Sequence, residues 1–137
     1  GPLAAGEGSG PGRMPEPETI LAHVGRLLEA PGALAGRRVL VTAGPTREAL
    51  DPVRYLTNHS SGKMGVALAA AAWRRGAEVT LVHGPLQVAV PVGVRTLAVE
   101  STRDMAAAVD AELPDADVLV MAAAPADYRP AQVAGQK

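Results

Sequence analysis

The sequence predicts an α/β chain, a Rossmann-like three-layer fold with a mainly parallel sheet, on three observations. Short β-branched runs recur along the chain: RVLVTA at Arg38 to Ala43, EVTLV at Glu78 to Val82 and DVLVMAAA at Asp117 to Ala124. The segment between the first two completes a strand, loop, helix, strand unit, which implies a right-handed parallel crossover. Polar residues crowd the ends of the first and last runs, where open α/β sheets bind ligands.

The composition agrees with one globular core. The chain has 137 residues and an apolar fraction of 47%, ordinary for a single domain. Thirteen basic against 14 acidic residues leave a net charge of -1, so no strong field recruits nucleic acid or an anionic membrane. Aromatic residues make up 2% and Phe is absent, so the core is built from Ala, Val and Leu. The absence of Cys excludes disulfides and Cys-ligated metal and points to a reducing compartment, the cytoplasm being the simplest. No apolar run reaches the roughly 18 residues of a membrane span.

The elements follow in order. Residues 1–17 are rich in Gly and Pro and costly to order, a flexible tail or linker. Glu18 to Glu29, within a linker segment at 18–32, reads as a helix, with Ile20, Leu21, Val24, Leu27 and Leu28 at helical spacing and Pro31-Gly32 ending it. Arg38 to Ala43 is a buried strand that opens an α/β segment at 38–137, and a long loop from Gly44 to about Ser61 follows. Gly62 to Arg75 is an alanine-rich helix, apolar nearly all round and expected to be largely buried, with Gly76 as its stop. Glu78 to Val82 and Val94 to Val99 are strands, and Arg103 to Leu113 is a helix capped by Ser101 or Thr102. Asp117 to Ala124 reads as a central parallel strand covered on both faces.

The densest chemistry lies in the first loop: Thr42-Ala-Gly-Pro-Thr-Arg-Glu, Asp51-Pro-Val-Arg-Tyr and Asn58-His-Ser-Ser-Gly-Lys-Met-Gly65. Ser60, Ser61 and Gly62 stand at a helix N-terminus, where free N–H groups and the helix dipole favour phosphate; either serine could instead simply cap the helix. Arg47, Arg54 and Lys63 suit phosphate or carboxylate, although Arg47 and Arg54 could equally tie the loop down through Glu48 or Asp51. His59 lacks the spaced partners of a triad and reads as a loop hydrogen bonder. Neither G-x-G-x-x-G nor a Walker A loop is present, and no pattern indicates a structural metal site.

Two long motifs in order, VTAGPTREALDPVRYLTNHSSGKMG at Val41 to Gly65 and AAAPADYRPAQVAGQK at Ala122 to Lys137, resemble the phosphopantothenoylcysteine synthetase family. The resemblance implies ligation of cysteine to 4′-phosphopantothenate: the substrate carboxylate attacks the α-phosphate of CTP, pyrophosphate leaves, and the cysteine amine opens the acyl-cytidylate. It implies CTP as a substrate, Mg2+ carried with the nucleotide, and a homodimer formed through the synthetase domain. By the same resemblance Asn58 serves the acyl-cytidylate, and Asp127, Met121, Ala122, Ala123 and Lys137 belong to the nucleotide site, to which the first loop adds Gly44, Ser60, Ser61 and Gly62. Read without it, Asn58 is a turn residue, Asp127 a loop carboxylate, and Met121 to Ala123 core strand.

In bacteria this domain commonly follows a decarboxylase domain, and Gly1 to Ile20 resembles the end of that domain and its linker. Ala5 stands where the decarboxylase motif has its catalytic cysteine, so decarboxylation is not expected, nor is the FMN of that upstream domain. The family continues past the position of Lys137 through a Lys-rich strand, so the expectation is an incomplete part of the ligase. Two other classes stay open: a non-catalytic nucleotide-binding or assembly module, and a dinucleotide-dependent oxidoreductase suggested by the fold pattern alone.

Overall fold

The computed structural model describes residues 14–137; Ala5 and the decarboxylase-like motif lie outside them. Four parallel strands form the central sheet: β1 (Arg38–Ala43), β4 (Glu78–His83), β5 (Arg95–Ala98) and β6 (Val118–Met121), in the spatial order β5-β4-β1-β6. The chain winds outward from β1 through β4 to β5, then returns to place β6 on the other flank of β1. Strand direction of travel therefore reverses at β1 and β6, the topological switch point where α/β sheets open a crevice at their carboxyl ends.

The three layers follow from the alternation of side chains along β1. Val39, Val41 and Ala43 face one side with Val79 and Leu81, and pack on Ala69, Ala72 and Trp73 of α2 (Lys63–Arg74). Leu40 and Val82 face the other side and pack on Met105 and Val109 of α3 (Thr102–Glu112). Small side chains let α2 lie close: a Cβ added at Gly65 would sit 2.4 Å from the Ala43 Cβ and 2.7 Å from the Thr42 carbonyl oxygen. At α3, Ser101 accepts from the Asp104 amide while the Asp104 carboxylate accepts from the Ser101 amide, a reciprocal capping box. These hydrogen bonds, the Ser101 hydroxyl's first, hold the Asp104 carboxyl below the usual carboxylate range.

Three expectations change on contact with the structure. The loop from Gly44 to Ser61 is not irregular throughout: β2 (Arg47–Ala49) and β3 (Tyr55–Thr57) pair antiparallel. Their turn is organised by Asp51, whose carboxylate accepts from the Val53 and Arg54 amides at 2.8 Å each and meets Arg54 Nε at 2.6 Å. The amide of Val53 contributes most to lowering the Asp51 pKa, partly opposed by desolvation and reinforced by Arg54. Second, α2 buries one face only; Met64 and Leu68 stay exposed. Third, β6 is not central. Among the described residues it pairs only with β1 and forms the sheet edge, leaving Val118, Leu119 and Met121 exposed. A continuous apolar run signals that a strand is to be covered, and carries no information about where in the sheet its neighbours come from.

The linker helix α1 (Pro17–Leu28) packs on α2 through its small and polar side. Gly25 is buried beneath Arg74, Glu29 binds Arg74 Nε at 2.6 Å, and Arg26 donates to the Trp73, Gly76 and Ala77 carbonyls at the end of α2. The Arg26 guanidinium also lies 4.7 Å from the Trp73 ring centroid, a cation–π contact.

Candidate functional site at the switch point

The two motif loops, far apart in sequence, meet beyond the carboxyl ends of β1 and β6. Pro45 and Ala124 form a parallel bridge, and the Ala124 amide donates to the Gly44 carbonyl at 2.8 Å. The pairing of Thr42 with Met121 sets this register, so each loop leaves its strand at the same height.

Side chains of the first loop then clamp the backbone of the second. The Thr42 hydroxyl, fully buried, accepts from the Ala122 amide at 3.1 Å and the Ala123 amide at 3.2 Å, and its own proton points to Met121 Sδ at 3.9 Å. The Thr46 hydroxyl, equally buried, accepts from the Ala126 amide at 2.9 Å and shares a proton with the Thr102 hydroxyl at 2.9 Å. Asn58 donates through Nδ2 to the Pro125 carbonyl at 2.8 Å and more weakly to the Ala124 carbonyl at 3.5 Å. The Glu48 carboxylate, 5% exposed, accepts from the Thr102 amide at 2.8 Å, so a buried negative charge sits at the positive end of α3. Thr57 adds a bond to the Thr46 carbonyl at 2.7 Å.

On the other side of β1 the glycine-rich turn and the start of α2 close up. Gly44 and Gly62 both have left-handed backbone, φ 78° and 77°. A Cβ on Gly62 would fall 3.4 Å from the Gly44 backbone and displace the Leu86 side-chain tip at 2.2 Å, and the left-handed φ of Gly62 is what favours glycine there. No side chain caps α2. Ser60 and Ser61 reach the Gly62 and Lys63 amides only at 3.4 Å each, weak contacts at the limit of hydrogen bonding. Ser60 and Ser61 therefore cap the start of α2 only weakly.

The structure thus brings together Gly44, Gly62, Ser60, Ser61, Asn58 and the backbone of Met121 to Ala123. It also restricts what that backbone can do, since the Ala122 and Ala123 amides are bonded to Thr42. Asp127 stands exposed just past the clamp, and Lys137 is exposed at the end of a strand-free tail that is tied to the hairpin through the Ala134 amide and the Leu50 carbonyl, 3.0 Å. Arg54 and Arg47 turn out to be engaged locally, Arg54 with Asp51 and Arg47 with Glu100 at 3.6 Å and over the Tyr55 ring at 4.6 Å. His59 and Lys63 are exposed. Sequence reading missed the clamp itself: Thr42, Thr46, Glu48 and Thr102. The spacing of Thr42 and Thr46 at a strand's end was visible, but their partners lie 56 to 81 residues away. Among the described residues no group of three or more His, Cys, Asp or Glu could hold a metal ion.

Comparison with known proteins identifies the family and the fold. The Vibrio cholerae coenzyme A biosynthesis bifunctional protein CoaBC is 56% identical over 138 residues, which span 98% of this chain and 34% of the relative. The chain therefore spans about a third of the length of the curated relatives it matches. The crystal structure of the C-terminal domain of a CoaBC protein superposes with a TM-score of 0.71 at 54% identity, covering 74% of this chain and 52% of that one. Cab2 in complex with phosphopantothenate-cysteine shares the fold, at a TM-score of 0.65 and 14% identity over 87% of this chain and 55% of that one. Residues 34–137, which include both clamped loops and every strand of the sheet, match the DNA/pantothenate metabolism flavoprotein C-terminal domain, and the chain belongs to that family.

Proposed function

We propose that this chain carries the nucleotide-facing part of a coenzyme A biosynthesis ligase that joins cysteine to 4′-phosphopantothenate with CTP. The observation that carries the reading is the clamp: two motif loops that resemble those of the synthetase are cross-bonded at the sheet's switch point, beside an uncapped helix N-terminus. CoaBC relatives and the likeness to a fold that binds phosphopantothenate-cysteine support the same class of chemistry.

In this reading the first turn of α2 receives phosphate oxygens through backbone N–H groups, stabilising the charge that develops as pyrophosphate leaves. The carbonyls of Met121 to Ala123 face a ligand that donates hydrogen bonds, which suits the amino group of cytosine. Asn58 holds the peptide of Pro125, and with its amide hydrogens so engaged, its Oδ1 is the atom left to meet the substrate or acyl-cytidylate. Asp127 takes hydroxyl or amino protons of the nucleotide. Magnesium is the ion that the triphosphate would carry. Lys137 belongs to the nucleotide site, and the functional unit is a homodimer in the cytoplasm.

Calorimetric titration with CTP, with and without magnesium and with ATP as the control, tests the site directly. CTP-selective binding is expected. Equal affinity for ATP would remove the cytosine assignment, and pyrophosphate release with 4′-phosphopantothenate and cysteine separates a ligase from a binding module.

A further inference from the structure

Helix α1 is inside out. Its charged and small residues face the domain, Gly25 and Arg26 on α2 and the adjoining Glu29 on Arg74, while its large apolar residues stay exposed, Leu21 at the rim of the groove between α1 and α2. Leu21, Leu27 and Leu28 are 68%, 75% and 81% exposed, and Ile20 and Val24 lie beside them at 39% and 43%. Leu21, Val24 and Leu28 have the i, i+3, i+7 spacing by which a helix lays an apolar ridge into a groove. A helix meant for water carries charges on that side.

Two facts identify what the ridge meets. The family match begins at residue 34, so α1 lies before the domain proper and contributes little to its core beyond Ala22. The match to bifunctional relatives nevertheless spans 98% of this chain, which takes it through α1. A helix that accompanies the bifunctional proteins, sits ahead of the synthetase-like domain and turns its apolar side outward is placed to touch the other functional unit.

We propose that α1 is a docking ridge that seats this domain against the flavin-binding unit of the bifunctional proteins, through Leu21, Val24 and Leu28. Arg26 and Glu29 fix the helix on its own domain, so the ridge orients the two units as well as joining them. The contact need not be strong, because a short covalent linkage supplies a millimolar effective concentration.

The test is NMR on this chain, isotope-labelled at its methyl and amide groups and titrated with the separately produced flavin-binding unit of Vibrio cholerae CoaBC into the millimolar range. Shifts confined to α1 are expected, with affinity lowered at least about tenfold by Leu21→Lys together with Leu28→Lys, as for central anchors of an interface. Both side chains are exposed, so this variant retains the fold, which its unaltered amide spectrum outside α1 checks. Three results overturn the proposal: no α1 shifts at millimolar concentration, equal binding by the variant, or α1 shifts that depend on this chain's own concentration and ignore the flavin unit. The last would assign the ridge to a second copy.

Discussion

β1 and β6 are adjacent parallel strands of nearly equal apolar content, yet Val39 to Ala43 of β1 are at most 4% exposed while Val118, Leu119 and Met121 of β6 are 41%, 38% and 63% exposed. The difference lies in partners. β1 is paired on both sides and covered by α2 and α3; β6 has β1 alone among the described residues. Apolar burial therefore anchors the middle of β1, whereas β6 is fixed by its ladder and by the polar clamp at its carboxyl end. Stability resides in the middle of β1, whereas the proposed nucleotide contacts lie beyond the carboxyl ends of both strands.

The sharpest way to break this contrast is in the core. Leu40→Ala, in a side chain 1% exposed, is expected to cost about 2–5 kcal/mol in urea unfolding. A loss below about 1 kcal/mol would show that β1 is not the anchor. Next comes the clamp: Thr42→Val keeps the shape but leaves the Ala122 and Ala123 amides without their acceptor, expected to cost about 1–3 kcal/mol, with Thr42→Ser restoring most of it. A valine variant as stable as wild type would mean that β6 is held by its ladder alone.

The α3 cap sharpens the comparison from the helix side. Ser101→Ala should cost about 1 kcal/mol at neutral pH. Because the folded Asp104 and Asp51 carboxyls titrate below their unfolded values, each stabilises the fold at pH above the ordinary carboxylate range, and that contribution is lost as pH falls through the lowered folded pKa. Thermal melts from neutral pH downward should show this acid-side loss, less steep in Ser101→Ala. An equally steep loss in the variant would remove Asp104 as a source. The smallest effect belongs to the open strand: Leu119→Thr should change stability by less than about 0.5 kcal/mol. A core-sized loss there would mean that Leu119 is buried in solution.

The fold was legible where local chemistry decides it. RVLVTA and EVTLV announce strands, Ser101 with Asp104 announces a helix start, and Gly76 at φ 99° ends α2 as its position suggests. The hairpin in the first loop was hidden because Tyr55, Leu56 and Thr57 are all exposed and lack the buried alternation that marks a strand. Alanine obscured the burial of α2, since Ala67 is exposed while Ala69 and Ala72 are buried and nothing in the residue type distinguishes them. At the site, the motifs located both loops, but Thr42, Thr46 and Glu48 find partners across 54 to 81 residues of chain, a relation that no local pattern encodes.

Trp73 is the chain's one tryptophan, and it lies under α1, with the Arg26 guanidinium over its ring and the His23 imidazole edge-on at 5.1 Å. The indole is therefore a built-in optical gauge of whether the linker helix is seated. Its emission follows the solvent and the two cation-capable neighbours that α1 brings to it, and it is remote in topology from the clamped loops. Lifting the helix would change that emission while the nucleotide end of the sheet stays silent, so one intrinsic signal separates motion at the domain's back from events at its site.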